Sequence, residues 1–230
     1  MMRGLLSSSG ASKTISAGQC NHPFDSVVLG DCVAREAGVE RFIHVSGIGS
    51  DAGSASPYIR SRGEGERLVR EAFSATTLIR PSVMFGRGDA FVTPVARMLR
   101  RLPILPLFGR GQTQLQPAHV EDAAEVIARA MQTTQSRMCY ELGGPRVYTC
   151  RSLLEVIARH LGKKPLLVPM PFALWNALVY VAEILPQPPI TRNQLELMQT
   201  DSMASPSAPG FDDLRISSTS LEGVLPEIVG

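Results

Sequence analysis

Short apolar runs alternate with amphipathic segments along most of this chain. Residues 41–46 and 76–80 are rich in apolar and β-branched side chains, which favours strands. Residues 58–73 between them have helical spacing, and residues 26–38 form a helical pattern that ends at a glycine. This α-β-α-β order predicts a doubly wound α/β fold, with the two strands adjacent and parallel because one helix joins them.

The rest of the chain continues the alternation. Helices are predicted over 91–101, 120–132, 152–161 and 194–198 and around Trp175, and strands over 105–108, 113–116, 139–142 and 166–168. The apolar stretch 172–185 is too short to cross a bilayer and predicts a buried helix, with a membrane-surface or partner helix as the alternative. Beyond Asp201, Ser, Pro, Gly and Asp dominate, which predicts a flexible tail over 201–230.

Composition narrows the function classes. The chain has 230 residues, 44% of them hydrophobic, and a net charge of +2 that looks spread out, so neither nucleic acid nor an anionic membrane is indicated. Its arginine clusters are interpreted as solvated helix faces. Four cysteines without a C-x-x-C pair argue against a disulfide framework and against a metal site: Cys20, Cys32, Cys139 and Cys150. Residues 1–21 are Ser-rich and predict a disordered leader, with a mitochondrial presequence as the alternative.

One constellation indicates chemistry. Ser46 stands at the end of the first predicted strand, Tyr58 opens the next helix, and Arg62 follows four residues later on the same helix face. A positive charge beside a tyrosine lowers its pKa, so this trio suits proton transfer at a carbonyl or alcohol.

The loop after the first strand matches a dinucleotide fingerprint in letters only. Residues 47–52 satisfy G-x-G-x-x-G/A, but a true fingerprint runs directly into a helix whose amides face the pyrophosphate. Because Pro57 stands just before Tyr58, the helix is predicted to begin too late for that role. We therefore interpret the loop as part of an active site.

Four sequence blocks carry a family resemblance: VERFIHVSGIGSD, PYIRSRGEGERLV, TTLIRPSVMFGRGD and QPAHVEDAAEVIARAM. In this order they resemble the second half of an extended or atypical short-chain dehydrogenase/reductase of the NAD-dependent epimerase/dehydratase type. The resemblance is strongest to the group of NAD(P)-binding accessory subunits of respiratory complex I and their bacterial relatives. It spans residues 24–198.

The resemblance implies a partial Rossmann-type sheet with a small C-terminal α/β lobe. The implied division is a leader (1–21), an NAD(P)-binding-type core (22–148), a lobe (149–200, with contributions from 85–118) and the tail. It assigns proton transfer to Ser46, Tyr58 and Arg62. The same three residues, with Arg80, Pro81 and Ser82, are the implied cofactor contacts, whereas Phe85, Gly86 and Arg87 lead to the substrate side.

Two departures shape the expected function. Arg62 replaces the family's lysine, and a guanidinium is poorly suited to relaying protons. The family's opening βαβαβ half has no counterpart in residues 1–25, so the chain is expected to be a fragment, a misplaced start or a degenerate copy. Binding of NAD(P) is therefore expected to be weak or absent.

Three functions follow as alternatives. The first is a weakly active or non-catalytic accessory role among the subunits of a respiratory NADH:quinone oxidoreductase. The second is an active NAD(P)-dependent oxidoreductase or epimerase, and the third is a fragment without independent function. The first implies a cytoplasmic or membrane-peripheral bacterial protein, associated with the membrane through a complex, or a mitochondrial matrix protein in a eukaryote.

Overall fold

A three-stranded parallel sheet organises the first part of the described structure. The structure is a computed structural model that describes residues 39, 41–133, 138–182 and 192–229. The strands are β1 Phe42–Val45, β2 Thr76–Pro81, β3 Met84–Phe85, β4 Ile104–Phe108, β5 Gln114–Leu115, β6 Ala118–His119, β7 Cys139–Leu142, β8 Tyr148–Thr149 and β9 Leu166–Met170. The helices are α1 Pro57–Ala72, α2 Val92–Arg101, α3 Val120–Gln132, α4 Cys150–His160, α5 Phe172–Ala182, α6 Arg192–Leu197 and α7 Leu221–Val229, with a 3₁₀ turn at Asp212–Leu214.

The sheet has the order β1-β2-β7. Phe42 pairs with Thr76 and Leu78 with Cys139, and both pairings are parallel. The helix α1 connects β1 to β2, and α3 packs against both of these strands. The predicted α/β fold and the predicted adjacent, parallel strands are therefore confirmed.

The start of α1 follows from local chemistry. The Ser56 hydroxyl accepts a hydrogen bond from the Ile59 amide, and Pro57 occupies the first turn, where a missing N–H costs nothing. The helix thus begins after the loop of residues 47–52, as predicted. Residues 50–56 separate Gly47 and Gly49 from the first turn of α1.

Two hydrophobic clusters form the core. One lies at the three-stranded sheet and includes Ile79, Val126, Tyr140 and Leu142. The other joins α2, α4 and α7 with β4 and β5, and includes Leu99, Leu107, Leu153 and Ile157. The division into a nucleotide-binding-type core and a C-terminal lobe stays a proposal, and two separate clusters support it.

The prediction of a flexible tail is wrong for residues 201–229. Leu221, Leu225 and Val229 are at most 4% exposed, because their four-residue spacing places them on one face of α7 against the second cluster. Ser202 is held by backbone hydrogen bonds to Gln114 and Gln116. The prediction rested on the polar average composition of residues 201–230, which does not show that a few apolar residues such as Leu221 and Leu225 pack in the core.

The prediction of a buried helix at 172–185 is also wrong for its described part. Leu174 is 50% exposed and Tyr180 is 69% exposed. One side of α5 is anchored, since the Trp175 indole donates to the Leu107 carbonyl at 2.9 Å and its ring lies 4.6 Å from that of Phe108. An apolar sequence favours burial, but a side chain is buried only where another segment packs on it, and the described residues leave Leu174 and Tyr180 uncovered.

Two further sequence predictions fall outside the described residues: the helix at 26–38 and the leader at 1–21. Within the described ranges, no helix has both the length and the apolar character that crossing a bilayer requires. The same ranges contain no group of three potential metal-ligating side chains.

Candidate functional site

The ends of β1 and β2 lie at one edge of the sheet. The Ser46 amide donates to the Ile79 carbonyl at 2.8 Å, and the Ile48 amide donates to the Pro81 carbonyl at 3.1 Å. The segments that follow β1 and β2 therefore stay hydrogen-bonded beyond the last residue of β1. Carboxyl ends of parallel strands are where open α/β sheets place their ligands.

Tyr58 and Arg62 meet at this edge. The Arg62 guanidinium carbon lies 5.6 Å from the centroid of the Tyr58 ring, as expected for residues four apart on a helix. A β-carbon at Gly47 would overlap Arg62 Nη2, so the guanidinium packs directly on the Gly47 backbone. The structure thus brings the predicted tyrosine and cation to the end of β1.

Ser46 is buried and its hydroxyl contacts its own loop. It is 7% exposed, and its Oγ lies 2.9 Å from that of Ser50. The Ser50 hydroxyl in turn donates to the Gly47 carbonyl at 2.7 Å. This chain of hydrogen bonds holds the loop in place, as a strand-end serine does in a tight turn.

An acidic residue that the sequence analysis did not single out lies behind this loop. Glu66 is 4% exposed and forms a paired, two-bond contact with Arg80, at 2.9 Å from Nε to Oε1 and 2.5 Å from Nη2 to Oε2. Arg80 Nη1 also lies 3.6 Å from Glu141. The pair ties α1 to the central strand β2, and its geometry is the strongest kind that arginine forms with a carboxylate.

The Glu66 pKa reflects this pairing. Burial by itself would raise the pKa of Glu66, but hydrogen bonds from Arg80 and Ser46 and the charges of Arg80 and Arg70 outweigh it and lower the pKa. The hydrogen bond to Glu66 raises the pKa of Arg80 above its ordinary value. Both groups are therefore charged at neutral pH.

His44 on β1 faces the same cluster. Burial lowers the pKa of His44, and the charge of Arg62 lowers it further, while Glu66 partly offsets both effects. The imidazole is therefore neutral at pH 7 and adds no charge to the site.

The remaining predicted residues divide into buried and exposed groups. Pro81 is buried, and Ser82 is 6% exposed and donates to the Ser202 carbonyl at 2.7 Å. Phe85 is completely buried, with its ring 5.2 Å from that of His119. Gly86 is also buried, and a β-carbon there would lie 2.5 Å from Val120 Cγ1; among these residues only Arg87 is exposed.

A cavity of about 370 Å³ opens beside the Glu66–Arg80 pair. Asp51, Ala52 and Gly63 contribute to its wall, whereas Tyr58 does not line it. Its wall combines three acids with three cations, so its charge does not favour a pyrophosphate: Asp51, Glu66 and Glu71 with Arg67, Arg70 and Arg80.

The fit to a dinucleotide is partial. Tyr58 and Arg62 are half-buried at the strand end and remain accessible to a ligand. Arg80 and Ser82 are engaged by Glu66 and Ser202, so their polar groups are used within the protein. Of the implied cofactor contacts, Tyr58 and Arg62 are thus the ones that remain partly accessible.

The glycine-rich turn before α2 does not offer a free phosphate site either. Asp89 Oδ1 accepts hydrogen bonds from the amides of Phe91, Val92 and Thr93. The chain's own carboxylate thus occupies the helix N-terminus where an anion would bind.

Comparison with known proteins finds a family match over just under half of the chain. Residues 32–143 match the NAD dependent epimerase/dehydratase family. The resemblance inferred from the four sequence blocks is confirmed, and the matched range contains every residue of the candidate site.

Two curated relatives are similar over much of the chain. "NADH dehydrogenase [ubiquinone] 1 alpha subcomplex subunit 9, mitochondrial" from Arabidopsis thaliana is 32% identical over 203 residues, which is 83% of this chain and 50% of the relative. "Ceramide reductase" from Caulobacter vibrioides is 32% identical over 140 residues, which is 60% of this chain and 43% of the relative. The chain thus spans about half the length of the curated relatives it matches.

A solved structure supports the fold. The NADPH-dependent quinone oxidoreductase of Escherichia coli, complexed with NADPH, has a TM-score of 0.73 and 15% identity, and the match covers 94% of this chain and 74% of that one. At this identity the likeness shows the fold alone. The predicted Rossmann-type fold is confirmed.

Proposed function

We propose that this protein has a non-catalytic accessory role in a respiratory NADH:quinone oxidoreductase, with a nucleotide-binding-type fold that serves assembly or stability. The similarity to an alpha subcomplex subunit of NADH dehydrogenase over most of this chain supports the partner class. The arrangement of Tyr58 and Arg62 supports the absence of turnover.

One observation carries the proposal. The Arg62 guanidinium is packed between the Tyr58 ring and the Gly47 backbone, at the position where the family resemblance implies a lysine. A guanidinium keeps its proton at any physiological pH, so it holds a positive charge there without relaying protons. Its planar head also fills the space beside Gly47 that a narrower ammonium would leave open.

Dinucleotide binding is expected to be weak in the chain as given. Tyr58 and Arg62 would contact the nicotinamide-ribose end, whereas Arg80 and Ser82 already have partners. Each missing charge-assisted hydrogen bond to phosphate is worth about 1.5–3 kcal/mol, and each ~1.4 kcal/mol is a factor of ten in affinity. We expect millimolar dissociation constants by calorimetric titration with NADH and NADPH. A low micromolar value would contradict this part of the proposal.

The accessory role is tested in the source organism. An affinity-tagged copy of the chain should co-purify with the subunits of the NADH:quinone oxidoreductase, and its deletion should lower the amount of intact complex on native gels. Because the role does not depend on proton transfer, Tyr58→Phe should restore the complex as well as the unchanged chain does. Normal complex levels without the protein would refute the role.

A second candidate is an active reductase. It is favoured by the similarity to a protein named ceramide reductase and by the meeting of Tyr58 with a cation at the strand end. In that case Tyr58→Phe would abolish NAD(P)H-dependent carbonyl reduction with little effect on thermal stability. Arg62→Lys would raise the rate. If neither the unchanged chain nor the Arg62→Lys variant reduces a carbonyl substrate, the accessory role is the better account.

A further inference from the structure

The positive charge of this protein is concentrated in two segments. Residues 90–120 and 156–182 contain no Asp or Glu, yet they carry Arg97, Arg100, Arg101, Arg110, Arg159, Lys163 and Lys164. Since the whole chain has a net charge of +2, the remaining residues are net negative. The even spread inferred from the sequence total is therefore wrong for this part of the molecule.

These two segments pair with each other in a parallel two-stranded ribbon, formed by β4 and β9. Ile104 pairs with Leu166 and Pro106 with Val168, so these four side chains share one face of the ribbon. Ile104 is 54% exposed, Leu166 is 61% exposed and Val168 is 39% exposed. We call this the ribbon face.

The opposite face of the ribbon is the one that the protein uses for its own core. Leu105 is 4% exposed and Leu107 is completely buried, and both belong to the second hydrophobic cluster. The apolar residues of the ribbon face are thus additional to those that the fold needs. A row of exposed aliphatic side chains costs solubility unless something covers it.

Cations stand at one end of the ribbon face. Parallel strands begin at the same end, so Arg101 before β4 and Lys163 and Lys164 before β9 lie together there. The Leu166 amide donates to the Pro103 carbonyl at 2.8 Å, so the segments that lead into β4 and β9 are hydrogen-bonded to each other. All three cations are exposed, and within the described ranges none has an ion-paired or hydrogen-bonded side-chain partner.

We propose that the ribbon face docks this protein onto an anionic lipid surface. Aliphatic side chains enter the boundary between headgroups and acyl chains, while the flanking cations contact the anionic headgroups. Nucleic acid is a poorer match, because it would leave Ile104, Leu166 and Val168 without an apolar partner. The proposal is independent of the accessory function, since it uses residues outside the candidate site.

The test is co-sedimentation of the full chain with vesicles. We expect binding to vesicles of phosphatidylcholine and phosphatidylglycerol (7:3), little binding to phosphatidylcholine alone, and weaker binding as salt rises. Each cation near such a surface contributes a factor of about 5, so Lys163→Gln with Lys164→Gln should lower the partition coefficient about 25-fold. Thermal melting of each variant checks that it remains folded.

Matched controls separate this face from general charge. Arg67→Gln with Arg70→Gln removes the same charge from exposed positions on α1 and should leave vesicle binding within about twofold. Ile104→Ser with Leu166→Ser keeps every cation and should also abolish binding. Equal binding to neutral vesicles, equal losses in the α1 variant, or no loss in the Ile104 and Leu166 variant would each overturn the proposal. The proposal would also be overturned if the chain bound soluble heparin as tightly as the anionic vesicles and Ile104→Ser with Leu166→Ser left that heparin binding unchanged.

Discussion

Replacing Arg80 by methionine tests the buried ion pair most directly. Methionine keeps most of the side-chain volume but leaves the Glu66 carboxylate without its partner, and the Glu66 side chain is only 6% exposed. Removing one partner of a buried pair typically costs about 3–5 kcal/mol. Because the Arg80 side chain is 24% exposed, water can reach the carboxylate after the change. We therefore expect the lower end, about 3 kcal/mol of unfolding free energy.

The pH dependence follows from the direction of the Glu66 pKa shift. In the folded protein this pKa is lowered below its ordinary value of 4.5, so the pair stabilises fully above that value and its contribution disappears as the pH falls through the folded-state pKa. In Arg80→Met the burial of Glu66 is no longer outweighed, and its pKa rises. The loss of unfolding free energy in the variant, relative to the unchanged protein, should therefore be largest at neutral pH. This loss should become smaller below about pH 5.

Urea unfolding at pH 7 and at pH 4.5, followed by circular dichroism, measures both effects. About 3 kcal/mol corresponds to a fall in melting temperature of about 6–12 °C for a chain of this size. Glu66→Gln combined with Arg80→Met should be more stable than Arg80→Met alone at pH 7, since no buried charge is then left unpaired. A loss below about 1 kcal/mol at pH 7, or a deficit that grows in acid, would refute the reasoning.

Three further predictions concern packing. Gly63→Ala should destabilise the protein by about 2 kcal/mol, because the new β-carbon would overlap the backbone nitrogen of Ala52. Gly65→Ala on the same helix meets nothing within 4 Å and should stabilise by about 0.5–1 kcal/mol. Urea unfolding compares the two variants, and equal effects would contradict the close approach of Gly63 to Ala52. Cys150 is 3% exposed and burial raises its pKa to about 11, so iodoacetamide at pH 8 should not label it in the native protein, as peptide mass spectrometry can establish. Leu225→Ala should cost about 3 kcal/mol in a thermal or urea melt, and an unchanged stability would mean that α7 is not docked in the core.

Local sequence pattern was enough to predict the first elements of the sheet and their order. Apolar runs of strand length and the spacing in residues 58–73 were sufficient to predict β1, α1 and β2, because periodicity and capping are properties of neighbouring residues. Their order also implied the parallel pairing, since a single helix can return the chain only to a parallel neighbour. Tyr58 and Arg62 met as predicted for the same local reason: one helical turn separates them.

Contacts between distant segments set which side chains are free and which are covered. The Arg80 guanidinium is held by Glu66 from another element, and the Ser82 hydroxyl by Ser202, 120 residues away along the chain. The same is true of α7, whose apolar face is buried, and of α5, whose apolar residues are largely exposed although its sequence is the more hydrophobic of the two. Burial depends on what lies opposite a side chain in space, and distant segments supply that neighbour, so local pattern carries little information about it.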